Sequence, residues 1–346
     1  MNPWLAGGVF AVGAAVSLMT SEVLVLRIER LAESFHLSDA LLGAVAALAA
    51  DSPEITSAVT AIAHGQTDVG AGVVLGSAVF NLSALVGLGA VVTRGLPVAR
   101  RVVAFGGTVT VALTLLALLD VGPGVAPGVT LGCAVAILGG YLFLLGAAPA
   151  ALRPFLRLRF STRAANWLAE AVAEEELAEE EEFEPTGKFH ISRHEPLWRD
   201  GAIATGALVV VIGASIGVER SVTSLGSRFD IPGIVVGALV LGAITGIPNA
   251  VASIYLARKG NGTGALSTAL NSNNFNIVIG LLVPAVAVGA GAGGKGTVLV
   301  AAWCLALTAT AMAIAHRYGR LGRGAGIGVL AAYGAFVGVV VASGLV

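Results

Sequence analysis

Apolar stretches long enough to cross a bilayer recur along nearly the whole chain, and they constrain its fold more than any other feature. A helical span takes about 20 mainly apolar residues. Cutting the runs at charged or Gly/Pro-rich breaks predicts ten spans, near 4–26, 39–63, 69–93, 102–121, 126–149, 200–224, 232–257, 264–290, 297–316 and 325–345. Only 12% of the residues are charged, about half the share of an ordinary soluble domain, which excludes a soluble globular fold. The 47 glycines suit helices whose backbones approach closely in lipid. The start, MNPWLAGGVF, has no basic residue ahead of its apolar run and reads as a first span, not as a cleavable leader. Cys133 and Cys304 lie in apolar runs and read as small hydrophobes in a core.

One long polar stretch, 150–199, divides the spans five and five. With the N-terminus outside, the inner loops collect Arg27, Arg30, Arg94, Arg100, Arg101, Arg258, Lys259, Arg317, Arg320, Arg323 and seven basic residues of 150–199, leaving Arg220, Arg228 and Lys295 outside. The positive-inside rule then predicts a cell-membrane protein with both termini outside and the 150–199 loop cytoplasmic.

The two groups of five repeat each other. An offset of 195 superposes Pro53 on Pro248, Glu54 on Asn249, Gly65 on Gly260, Ser77 on Ser272, Phe80 on Phe275 and Asn81 on Asn276. Halves of five spans must enter the membrane from opposite sides. The expected fold is therefore all-α integral membrane, ten transmembrane helices as two inverted-topology five-helix repeats, 1–149 and 200–346. Repeats of this kind put a binding site near the midplane, where interrupted helices meet.

The interruptions are visible. Proline lacks an N–H, so Pro53 and Pro248 deprive the carbonyls of Ala49 and Ile244 of their helical partners. Polar backbone at membrane depth is tolerated against protein or a water-filled cavity, where it can meet a cation. Asp51 and Glu54, three apart, share a helix face, and ionisable groups at this depth mark ion or proton pathways by default. The alternative is a neutral, hydrogen-bonded acid, which stays open for both and more so for Asp51. Ser77 with Asn81, and Ser272 with Asn276, are each four apart and present side-chain oxygens on one face. Hard cations take several such oxygens; helix–helix hydrogen bonding is the competing use.

The segments AADSPEITSAVTAIAHGQTDVGAGVVLGSAVFN at 49–81 and ITGIPNAVASIYLARKGNGTGALSTALNSNNFN at 244–276 resemble the two alpha repeats of the calcium/cation antiporter superfamily, the sodium/calcium and cation/proton exchangers. The resemblance covers the whole chain in topology, but only these segments are specific. It implies cation binding by Glu54, Ser77 and Asn81 in the first repeat and by Thr245, Asn249, Ser272 and Asn276 in the second, with Glu54, Asn81, Asn249 and Asn276 as the main metal contacts. Asn249 departs from the family's second glutamate, Asn276 stands where exchangers often have aspartate, Ala50 replaces a threonine, and Asp51 falls on a usual serine.

The site charge is therefore at most −2, from Asp51 and Glu54. Calcium exchanged for sodium or protons is the first expectation, and sodium/proton exchange on the same fold the alternative. No enzyme activity, cofactor or nucleic-acid partner is expected; the partners are inorganic cations and the bilayer, with the oligomeric state open. A cation channel fits poorly, for want of a filter-like loop. An intramembrane enzyme fits poorly too, because His36, His64 and His316 sit at span boundaries.

Outside the repeats, Glu22 and Glu219 read as snorkelling residues near span ends, and Asp68 and Asp120 as boundary residues. The acidic run 173–184 reads as a solvated, partly helical linker. The basic stretch 153–163 could lie on anionic lipid, and HISRH at 190–194 lacks a third zinc ligand.

Overall fold

The computed structural model describes residues 2–35, 37–122, 125–146, 161–180, 196–289 and 293–344, and it is almost wholly helical. In the first half α1 (Pro3–Ser34), α2 (Asp39–Ala50) and α3 (Ser52–Ala63) precede the central α4 (Thr67–Val92), strand β1 (Gly95–Pro97), α5 (Arg100–Val121) and α6 (Pro127–Gly146). A separate helix, α7 (Thr162–Glu180), lies in the connecting stretch. The second half runs α8 (Leu197–Arg228), α9 (Gly233–Thr245), α10 (Ile247–Lys259), central α11 (Gly262–Val288), α12 (Lys295–Tyr318), β2 (Arg320–Gly322) and α13 (Arg323–Gly344).

Among the described residues, eight helices are long and apolar enough to cross a membrane, or nine if the bent pair α9–α10 counts as one. The predicted span 39–63 is two twelve-residue helices, α2 and α3, meeting at Asp51. The chain is an all-α membrane protein. Its outermost helices say so most directly: the apolar window of α1 is only 17% buried although its mean hydropathy is 2.0, and Leu5, Val12 and Met19 stand exposed on it. In water such a surface would be a large unfavourable patch, whereas lipid tails match it.

The centre has the opposite character, since the apolar window of α4 is 94% buried and that of α11 72%. Small residues let α4 meet α9 backbone to backbone. A Cβ added at Gly76 would lie 2.3 Å from the Ala238 Cα, and one at Gly237 2.2 Å from the Val69 carbonyl oxygen. Both central helices switch to wider π-helical turns immediately around the repeated asparagines, over Leu82–Leu88 and Asn276–Leu282.

Polar ties join the halves at both ends. Arg27 bonds Asp200 at 2.6 Å, and β1 pairs with β2 antiparallel, Leu96 opposite Leu321. At the other end Asp68, expected as a mere boundary residue, caps α12, accepting from the Gly294 N–H at 3.0 Å and the Thr297 hydroxyl at 2.5 Å. Asp120 accepts from Thr130 at 2.6 Å.

Several expectations need correction. Glu219 does not snorkel: it is buried, while Glu22 is exposed. Cys304 is a core residue, but Cys133 lies exposed on α6. The acidic run is not uniformly solvated, because α7 buries Glu175 against the helical body. Residues 181–184 of that run, most of the basic stretch and the whole of HISRH lie outside the described residues.

Candidate functional site

Each half breaks its second hydrophobic segment just ahead of the proline. In the first the break residue is Asp51, between α2 and α3, and in the second it is Gly246, between α9 and α10. Pro53 and Pro248 occupy the first turn of the following helices, where a missing N–H has no intrahelical partner to lose. The restart brings Glu54, one residue beyond its proline, to Asn276 in the middle of α11, and Asn249, one residue beyond its own, to Asp51 and Ser272.

All eight residues singled out from the sequence are buried. Glu54 and Asp51 are 1% exposed, and Ser77, Asn81 and Asn276 are 0%, so the site is closed to bulk water from both directions. The contacts cross between the halves. Asn276 donates to Glu54 Oε2 at 2.5 Å, Asn249 to Asp51 Oδ1 at 2.8 Å, and Asn81 to Ser272 Oγ at 3.1 Å. Asn249 also reaches Ser272 at 3.3 Å, which links Asp51, Asn249, Ser272 and Asn81 in one chain of hydrogen bonds. The hydroxyls of Ser77 and Thr245 neighbour Glu54, each donating to the carbonyl of an earlier residue on its own helix, at 3.0 Å and 2.8 Å.

The amide nitrogens of Asn81, Asn249 and Asn276 are thus engaged, while several oxygens are not. Asp51 Oδ2, Glu54 Oε1, Asn81 Oδ1 and Asn276 Oδ1 have no hydrogen-bond partner among the described residues. Among the described residues neither carboxyl has a Lys or Arg partner. A buried polar atom left unpaired is costly, and a buried unpaired charge far more so. Two carboxyls and two amides with spare oxygens at one depth could satisfy that demand by taking up a cation or protons. Among the described residues, no group of three or more His, Cys, Asp and Glu gathers, so any cation would rely on amide and hydroxyl oxygens beside the carboxylates, the ligands of hard ions.

Sequence reasoning left Asp51 open, and the geometry turns it toward the second half. It missed Asn273, which accepts from Asn81 at 3.4 Å and donates to the Ala78 carbonyl at 3.4 Å. It also missed Asn274, buried with both amide atoms unpartnered among the described residues. The signal was present in the run NSNN at 271–274, four polar residues inside an apolar helix. Ser52 and Ser57 are likewise buried with unpartnered hydroxyls. Ser57 lines a cavity of about 10 Å³ with Ser17, Pro53, Ser215 and Thr245, the space of about one water.

The sequence profile described as "Sodium/calcium exchanger protein" matches residues 5–148 and 201–342, nearly all of both halves. The chain belongs to the sodium/calcium exchanger family. Within the wider calcium/cation antiporter superfamily, human "Sodium/potassium/calcium exchanger 4" is 41% identical over 63 residues, 18% of this chain and 10% of that protein. The chain therefore spans about a tenth of the length of the first such curated relatives. A longer match is the Escherichia coli K12 "Inner membrane protein YrbG", 26% identical over 289 residues, 82% of this chain and 80% of the relative. Among solved structures, the sodium-calcium exchanger NCX_Mj soaked with 10 mM Na+ and 10 mM Sr2+ has a TM-score of 0.59 at 19% identity, covering 96% of this chain and 98% of that one. The same exchanger soaked without Na+ and Ca2+ has a TM-score of 0.57 at 18% identity. These likenesses carry the fold.

Proposed function

We propose that this exchanger-family protein is a secondary antiporter that moves Ca2+ across the cell membrane in exchange for Na+ or H+ by alternating access, with Glu54 as the ligand the exchanged ions share. The observation that carries the reading is the set of four unpartnered oxygens from Asp51, Glu54, Asn81 and Asn276, buried between the halves. With both carboxyls ionised the site carries −2, a charge suited to a divalent cation, since affinity for such ions follows ligand charge and oxygen number. Ser77, Thr245, Asn249 and Ser272 complete the oxygen set. A carboxylate that binds a cation in one state and protons in another makes the two compete, which couples their fluxes when the empty, negative site cannot reorient.

A second reading, a monovalent Na+/H+ antiporter, is favoured by Asn249. That amide stands where the first half has Glu54, so the second half brings no charge, and protonation of Asp51 would leave −1.

The topology fits ten spans in two inverted repeats, 1–149 and 200–346, with α2–α3 and α9–α10 as broken spans and 150–199 as a cytoplasmic loop. The inter-half ties Arg27–Asp200 and β1–β2 join loops assigned to the inside, and Asp68–Thr297 joins segments assigned to the outside.

Ion flux in proteoliposomes tests this reading. Calcium uptake driven by an outward sodium gradient, and separately by a proton gradient, is expected only with a counter-gradient. Sodium/proton exchange without calcium movement would establish the second reading, and flux of neither kind would remove both.

A further inference from the structure

Helix α7 is too polar to count among the spans, yet it docks on the helical body through α2, α5, α6 and α11. Small apolar residues explain how: Ala165, Ala169 and Val172 recur at helical spacing and are buried. Glu175 continues that face and is 1% exposed. Its Oε1 accepts from the Tyr141 hydroxyl at 2.7 Å and from Ser267 at 2.7 Å, while its Oε2 is buried without a partner among the described residues. Two further ties secure the helix: Asn261 donates to the Ala178 carbonyl at 2.7 Å, and Arg101 pairs with Glu170 at 2.9 Å and also with Glu174.

Tyr141 lies within hydrogen-bond distance of two acceptors, Glu175 Oε1 and Asn271 Oδ1, the latter at 2.9 Å. A phenol has one proton and cannot donate to both. Either Glu175 is protonated and donates to Tyr141, which then donates to Asn271, or the Asn271 amide turns over and donates to Tyr141, which donates to a carboxylate. Asn271 Nδ2 is unpartnered as it stands, so both arrangements are open to it. Asn271 adjoins Ser272, and Ser267 lies five residues earlier on α11, about 7.5 Å along the helix.

We propose that Glu175, with Tyr141 and Ser267, is a proton-binding site that latches α7 over one end of the cation site, so that pH on the α7 side of the membrane sets the docking of that helix. Few charges compete with it. Helix α2 contributes only Asp39 and α11 no ionisable side chain; α6 contributes Tyr141, with Cys133 further along; α5 contributes Arg100 and Arg101 at this end and Asp120 at the other. On α7 itself the neighbours are Glu174, held by Arg101, and Glu176.

Burial pushes the Glu175 carboxyl above its ordinary 4.5, and the Tyr141 and Ser267 hydroxyls pull it partly back. The docked helix therefore holds the proton more tightly than a released, hydrated one. Docking is favoured most below the released-state value and weakens as pH rises through the docked value. The consequence for transport rests on the antiporter reading: acid on the α7 side restrains exchange and alkali releases it.

Hydrogen exchange of the full chain in nanodiscs, corrected for the intrinsic pH dependence of exchange, tests the latch without requiring transport. Protection of residues 162–180 in the wild type is expected to fall about tenfold per pH unit between the released and the docked value and to level off above it. Glu175→Gln should keep α7 protected throughout, and Tyr141→Phe should move the wild-type midpoint upward by about one unit. Wild-type protection that ignores pH, or a Glu175→Gln profile that follows the wild type, overturns the proposal. Should Glu175→Gln also lose protection in α4 and α11, the Tyr141→Phe midpoint decides, and an unshifted midpoint overturns it. Wild-type proteoliposomes without cation flux at any pH would sink the antiporter reading and leave the exchange criterion standing.

Discussion

The segments 49–81 and 244–276 share a backbone plan and differ in charge. Both break just before a proline, restart with a polar residue, and end at an asparagine beside π-helical turns. At the break, however, the first segment has Asp51 where the second has Gly246, and one residue past the proline it has Glu54 where the second has Asn249. The first half brings both carboxyls and the second brings amide donors that hold them. A repeated fold thus carries an unrepeated chemistry. Gly246 shows why the difference is not free to drift: a Cβ there would lie 2.8 Å from Phe80 Cδ1 and 3.0 Å from Asn81 Oδ1, so the second break cannot take a copy of Asp51 without displacing Asn81.

The largest expected break in this comparison is Glu54→Gln. It removes the carboxyl that Asn276 holds, and transport should fall by more than about 100-fold, since even supporting residues around metal sites are worth about 10–100-fold. Asp51→Asn comes next. Calcium exchange driven by sodium or protons should drop by at least about tenfold, while any sodium/proton exchange survives. Unchanged calcium exchange in that variant would make Asp51 structural. Gly246→Ala should cost about 1–3 kcal/mol through overpacking against Phe80, read as a lowered thermal unfolding midpoint in detergent. Asp68→Asn should have the smallest effect, about 1 kcal/mol from a weakened cap on α12, with faster hydrogen exchange confined to the first turn of that helix.

Much of this was legible in the sequence. Apolar runs report membrane spans because every long segment must match the bilayer, and the prolines report the breaks because no other residue removes a backbone donor. The offset of 195 brought out Glu54, Asn81, Ser272 and Asn276 together. What stayed hidden depends on which face a residue presents and what lies across from it. Nothing in a one-dimensional pattern distinguishes Asp51 turned toward Asn249 from Asp51 turned away. Glu219 looked like a residue close enough to a span end to reach water, yet its helix face is covered. Glu175 was lost in a run of glutamates whose composition says solvent, although the alanines ten, six and four residues before it, at 165, 169 and 171, are a buried docking face. The π-helical turns leave no residue signature in these two helices beyond the asparagines they adjoin.

The central claim is that one buried site between the halves binds the transported cation through Glu54. Calorimetric titration of the purified protein with calcium and then sodium, on the wild type and on Glu54→Gln, tests it most directly. The account predicts saturable cation binding to the wild type that the other exchanged ion displaces, and no such binding to Glu54→Gln. A Glu54→Gln protein that binds the same cation with wild-type affinity would contradict it.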